Sequence, residues 1–207
     1  MAEAMRIRGD DVPAFFRDKA PAKGYTYREY CSWGEDVRCE LIDGTVYLMS
    51  APVRWHQFAV LEIGSQLRNW LEDKSCEAHV APFDVRLFPP PGEDDGSDRT
   101  VVQPDVLVVC DPEKLSDGKA CRGAPDFVVE VTSRGTKGND FGVKKNLYEK
   151  AGVAEYWIVD SDAVYKYVPV NGEYRETMHE IDEGLELEVG VLPGCKIGFR
   201  RIVKQAL

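Results

Sequence analysis

Two short segments, VVQPDVLVV at 101–109 and PDFVVEV at 125–131, are nearly continuous runs of apolar residues. A strand with one face in water alternates apolar and polar side chains, so a strand without that alternation is covered on both faces. The chain must therefore build a sheet with layers on either side. Each run also contains one acid. Asp105 follows Pro104, and Glu130 stands among valines. A carboxylate in such surroundings is costly unless a proton, a cation or a metal compensates it.

The rest of the chain supplies the layers. Asp43-Gly44 between CELI and TVYLM predicts a two-strand hairpin over 37–50, because both turn residues must tolerate positive φ. Val60, Ile63, Leu67, Trp70 and Leu71 recur at helical spacing and predict a helix over 55–73. Val80, Phe83, Val85 and Leu87 point to a strand in VAPFDVRLF. PPPGEDDGSDR at 89–99 reads as a flexible surface insertion. Val143, Leu147 and Ala151 predict a helix over 139–151 that stops at Gly152. AEYWIVD at 154–160 is another buried strand, and VYKYV, Asn171-Gly172 and GCKIGFRRIV form a β-rich C-terminal section. A short helix is expected at Val12–Ala20. The order is that of an α/β domain with a mixed central sheet and helices on both faces. One domain over 1–207 is expected, with its core at about 30–168.

Composition excludes several classes. With 43% apolar and 30% charged residues the chain is neither disordered nor fibrous. No apolar stretch reaches the ~20 residues of a membrane span, and the start has no secretory signal, so a cytoplasmic protein is expected. The net charge of −10 argues against a generic basic nucleic-acid binder but leaves room for a local basic groove. The six cysteines, Cys31, Cys39, Cys76, Cys110, Cys121 and Cys195, form no CxxC pair and are expected as reduced thiols.

Three groups of residues carry chemistry. Asp105 and Glu130 can lie on adjacent strands facing the same way and hold a hard cation such as Mg²⁺; the plainer alternative places each at a strand end or opposite Lys or Arg. Asp140, Lys144 and Tyr148 are four apart and share a helix face, which either aims at those acids or is simply solvated. Glu40 stands among apolar neighbours before the hairpin turn, and His56 opens the first long helix; either can line a cleft or be structural. The three histidines, His56, His79 and His179, show no metal-ligand spacing.

Taken in order, ELIDGTVYLMSAPVRWH, PFDVRL, QPDVLVV, APDFVVEVTS and D-x₃-K-x₃-Y-x₃-GVAEYWIVD resemble the Uma2 family of the PD-(D/E)XK restriction-endonuclease-like superfamily. The resemblance runs from about 30 to 168 and continues weakly beyond. It implies a restriction-endonuclease-like core and a set of roles. Asp105 and Glu130 would be metal ligands, joined by the backbone carbonyl of Val131. The superfamily lysine position holds Thr132 here, and Lys144 on the following helix would take its place. Glu40 and His56 would line the same cleft, with Tyr148 as a supporting contact. The implied activity is metal-dependent phosphodiester cleavage of nucleic acid, DNA in the first instance, with Mg²⁺ as cofactor, Mn²⁺ as substitute and a homodimer as the assembly.

Two features depart from the family pattern. Ser133-Arg134-Gly135 replaces Ser-Pro-Ser after the glutamate strand, and the insertion carries Glu93, Asp94, Asp95 and Asp98, which would repel DNA if they overhung the cleft. The rival readings are a non-catalytic binding module on the same fold and a metal-dependent hydrolase of a small phosphorylated compound. Clustering of Lys137, Lys144, Lys145, Lys150, Arg200, Arg201 and Lys204 at the cleft would favour nucleic acid; scatter would not.

Overall fold

The strand at 101–109 does not run straight. In the computed structural model, which describes residues 24–33, 37–92, 96–133 and 136–206, it is split into β5 (Val101–Val102) and β6 (Val106–Val109). Pro104 has no N–H to offer a ladder, so pairing stops there and the chain passes from one sheet to another. The segment 80–88 divides in the same way around Pro82, into β3 (Glu77–Val80) and β4 (Asp84–Arg86). The expected single central sheet is therefore two main sheets sharing these crossing segments. The expected helix at Val12–Ala20 lies outside the described residues.

The first sheet has five strands in the order β2-β1-β5-β4-β7. It contains the hairpin β1 (Cys39–Ile42) and β2 (Thr45–Leu48), and β7 (Ala120–Arg122). Asp43 and Gly44 sit at φ 49° and 77°, as the Asp-Gly turn requires. The φ of 77° at Gly44 lies in the left-handed region that glycine adopts without strain. The second sheet has six strands in the order β11-β10-β9-β8-β6-β3. It contains β8 (Phe127–Val131), β9 (Glu155–Val159), β10 (Ala163–Val170) and β11 (Glu173–Glu180). Strands β8 and β9 run parallel, and every residue of β6, β8 and β9 is buried, as two covered faces demand.

One face of this sheet is covered by α2 (Arg54–Leu71) through Ala59, Val60, Ile63 and Leu67, and by the C-terminal section through Leu187, Val189, Ile197 and Ile202. That section is β12 (Glu186–Glu188), β13 (Lys196–Gly198) and α4 (Arg200–Ala206). The other face meets Leu147 and Tyr148 of α3 (Lys145–Ala151), which ends at Gly152 with φ 86°. A short α1 (Tyr27–Tyr30), opened by a Thr26–Glu29 capping box, packs on the first sheet. Among the described residues no helix is long and apolar enough to cross a membrane.

Two expectations are corrected here. The insertion 89–99 is not a solvated acidic loop throughout: Asp98 is buried and takes Nε of Arg86 at 2.8 Å, while the Tyr27 ring covers the guanidinium at 4.1 Å. An acid in a polar stretch reads as solvated until its cation is found, and Arg86 stands in the apolar segment just before the insertion. Nor are all six cysteines thiols. Cys76 and Cys110 are joined in a disulfide, because antiparallel β3 and β6 pair Glu77 with Val109 and so set the next residues opposite each other. Asp98→Ala removes the buried carboxylate that faces the Arg86 guanidinium and is expected to cost about 3–5 kcal/mol. Urea unfolding of the variant measures this directly; a loss under ~1 kcal/mol would show that the pair is not buried as described.

Candidate active site

The acids meet where the chain changes sheets. Gln103 donates its backbone N–H to Glu40 Oε1 at 2.9 Å, which ties β1 to the crossing point. Pro104 follows, and then Asp105 accepts the Val131 N–H on Oδ2 at 2.8 Å. Val106 pairs with Val129, so one step further Asp105 lies beside Glu130. Neighbouring residues of antiparallel strands point to the same face, and the two acids converge as the sequence spacing allows.

A cation faces them. Residues Asn139–Lys144 wind as a π-helix before the regular helix α3, so the expected 139–151 helix has two geometries. Such π segments are rare and frequently mark functional sites. Lys144 Nζ stands 2.8 Å from Glu40 Oε1 and 2.9 Å from Glu130 Oε1. Tyr148 donates its hydroxyl to Glu130 Oε1 at 2.7 Å. Glu40, Glu130, Asp140, Lys144 and Tyr148 are all buried, so this helix face is not the solvated one of the plainer alternative.

Burial governs the electrostatics. It pushes the Glu130 carboxyl well above its ordinary range; Asp105, Asp140 and Glu40 push the same way, and Lys144 opposes them. Asp140 is raised by burial to about 6, held back by Lys144 and by the Thr136 and Thr132 side chains. Burial alone would lower the Lys144 ammonium, but Glu130, Glu40 and Asp140 outweigh it and the net shift is upward. Burial likewise raises Tyr148. Glu40, Glu130 and Asp140 thus act on one buried ammonium, with Asp105 close by on His56, and the site favours added positive charge.

His56 lies in the first turn of α2, with Nε2 3.1 Å from Asp105 Oδ2. Its Nδ1 is buried and has no hydrogen-bond partner among the described residues. Hydrogen bonds and ion pairs from the described residues to Asp105, Glu130 and Glu40 fall on one oxygen of each: Oδ2, Oε1 and Oε1. The second oxygens are the ones that would meet a cation. Among the described residues no three His, Cys, Asp or Glu side chains form a ready cage for a metal. This donor set fits a hard cation that binds through one or two carboxylates and keeps several waters, as Mg²⁺ does, and does not fit a zinc cage.

The profile of the Uma2 family, described as "Putative restriction endonuclease", matches residues 25–199. The chain belongs to the Uma2 family. Its fold is similar to the crystal structure of a putative nuclease belonging to DUF820 from Anabaena variabilis ATCC 29413, with a TM-score of 0.68 and 16% identity over 88% of this chain and 99% of that one. No curated protein matches the chain. The family match reaches further at both ends than the 30–168 expected from the motifs, and includes β10 to β13.

In this Uma2 chain the structure brings Glu40, His56, Asp105, Glu130 and Lys144 together, with Tyr148 as a direct contact of Glu130. Val131 joins through its N–H. Sequence reasoning missed Gln103 and left Asp140 as a face-mate of Lys144. Gln103 holds Glu40 by its backbone and holds Asp84 and Tyr30 by its side chain, at 2.9 and 3.1 Å. Its signal was its place just before a proline that must break the ladder.

The basic residues scatter. Lys137 pairs with Asp160, Lys145 lies over Tyr167, Lys150 over Phe88, Arg200 near Glu183 and Arg201 near Glu62. Among the described side chains of that set, only Lys144 touches the acids. The side chain of Lys204 and the acids Glu93, Asp94 and Asp95 lie outside the described residues, as do Arg134 and Gly135 of the departing loop.

The raised Asp140 carboxyl gives a pH test. The folded chain holds this proton more tightly than the unfolded chain does. Its stabilising contribution is therefore complete below the ordinary 3.8 and is lost as pH rises through about 6. Asp140→Asn is expected to flatten the stability profile over that window, as measured by urea unfolding at a series of pH values. An unchanged slope would place the Asp140 carboxyl in water.

Proposed function

We propose that the chain is a metal-dependent phosphodiesterase of endonuclease type that acts on nucleic acid. One observation carries this reading: buried Lys144 stands between Glu40 and Glu130, with Asp105 beside Glu130 at the same sheet crossing. Asp105 and Glu130 would hold Mg²⁺, or Mn²⁺ in its place, with the Val131 carbonyl as a third donor. When bound, the cation lowers the pKa of a water and neutralises charge on the scissile phosphate.

The other residues act on that phosphate or on each other. The Lys144 ammonium offers N–H donors to the attacking water and to the charge that builds on the phosphoryl oxygens. Glu40 and Glu130 hold the ammonium in place, and Tyr148 fixes the Glu130 carboxylate that Lys144 shares. His56 orients Asp105 through Nε2. Gln103 anchors Glu40 to the same bend that presents Asp105.

The engagement of the basic residues elsewhere supports one second reading, a hydrolase of a small phosphorylated compound. A single panel separates the two. Supercoiled DNA, single-stranded oligonucleotides, RNA and bis(4-nitrophenyl) phosphate are incubated with the chain and Mg²⁺ or Mn²⁺. Nucleic-acid cleavage abolished by chelation is the expected result. Asp105→Ala and Glu130→Ala should each lose ~10³-fold or more, and Lys144→Ala roughly 10²–10³-fold. Turnover of the small diester alone would favour the second reading. Cleavage that survives in both acid variants would overturn the assignment of the site.

A further inference from the structure

Strand β3 is the edge of the six-stranded sheet, so it has a strand partner on one side only. Its two ends bear on different things. At its start, Cys76 is bonded to Cys110 across the β3–β6 pair. Just past its end, Ala81 donates its N–H to the Asp105 carbonyl at 3.1 Å. The segment closed by the disulfide, 76 to 110, contains Gln103, Pro104 and Asp105.

The cysteines fall into distinct chemical environments. Cys39, Cys121 and Cys195 are buried thiols, which burial pushes up to about 12, about 12 and about 11. Such thiols are inert toward exchange. Cys76 and Cys110 are half-buried, at the edge of the core rather than inside it. Their two sides are unequally anchored. The Cys110 N–H donates to Asp126 Oδ2 at 2.8 Å, which fixes it to the start of β8. Cys76 follows the exposed stretch Glu72–Ser75, so opening the bond frees the β3 side rather than the β6 side.

We propose that Cys76–Cys110 is a redox-sensitive clasp that fastens edge strand β3 and, through the Ala81–Asp105 hydrogen bond, the backbone that presents Asp105. A dithiol opens it by exchange. The S–S bond breaks, Cys76 and Cys110 each gain one electron and one proton, and the dithiol closes to its own disulfide. A small-molecule disulfide such as oxidised glutathione reverses the step through a mixed disulfide. The inference does not depend on the nuclease reading, since it concerns the strand and not the reaction.

The test uses the full chain equilibrated with oxidised glutathione or with dithiothreitol. Alkylation under denaturing conditions should find six thiols in the reduced chain and no more than four in the oxidised one, where exposed Cys31 can also take up glutathione. Peptides holding Cys76 and Cys110 should be linked in the oxidised digest. Reduction should lower the melting temperature by roughly 5–15 °C, given a loop of this length. Hydrogen–deuterium exchange should speed up in peptides covering 77–81 while β8 and β9 stay protected. Cys76→Ser should melt like the reduced chain and ignore dithiothreitol. Six thiols after oxidation, or a link to any other cysteine, overturns the proposal. So does a correct link whose reduction changes neither melting nor exchange at 77–81.

Discussion

The Lys144 ammonium holds together parts of the chain that no sheet joins. Glu40 belongs to the five-stranded sheet and Glu130 to the six-stranded one, and Lys144 bonds to both from a helix on the second sheet's face. Burying several carboxylates without a cation would cost more than the folding of a chain this size can spare. With the lysine in place, the same carboxylates become a preformed, charge-dense corner. The two sheets, the crossing strands and the π-helical turn are arranged so that this one contact closes.

The backbone does this with small departures from regularity. Pro104 stops one ladder and starts another, so Gln103 and Asp105, two residues apart, serve different sheets. The π segment brings Asp140 and Lys144 inward together before regular winding resumes and carries Tyr148 to Glu130. Glu130 itself sits on a strand covered on both faces, and Lys144 and Tyr148 both reach its Oε1. Strands β1 and β8 and the helical segment at 139–151 position Glu40, Glu130 and Lys144, while Asp105 stands at the bend between β5 and β6.

Much of this was legible in the sequence, and for definable reasons. Continuous apolar runs declared the buried strands, Asp-Gly and Asn-Gly declared the hairpins, and an acid inside an apolar run declared itself as needing a partner. The D-x₃-K-x₃-Y spacing marked the face that supplies that partner. What stayed hidden depends on register and on long-range pairing. No local pattern announces that Cys76 faces Cys110, or that Arg86 reaches Asp98. The two-sheet division was present only as prolines within strands, which a reader of periodicity takes for punctuation. Gln103 escaped because its role runs through its backbone N–H, which every residue but proline possesses.

Under the proposed function, Asp105 and Glu130 form a cation site whose charge Lys144 only partly offsets. Calorimetric titration of the intact chain with Mn²⁺ and Mg²⁺, set beside the same titration of Glu130→Gln, addresses it without any choice of substrate. Saturable binding to the intact chain and at least a tenfold loss of affinity, about 1.4 kcal/mol, in the variant are the expected results. Equal binding by both chains would contradict it. So would no binding by either, with or without an added oligonucleotide.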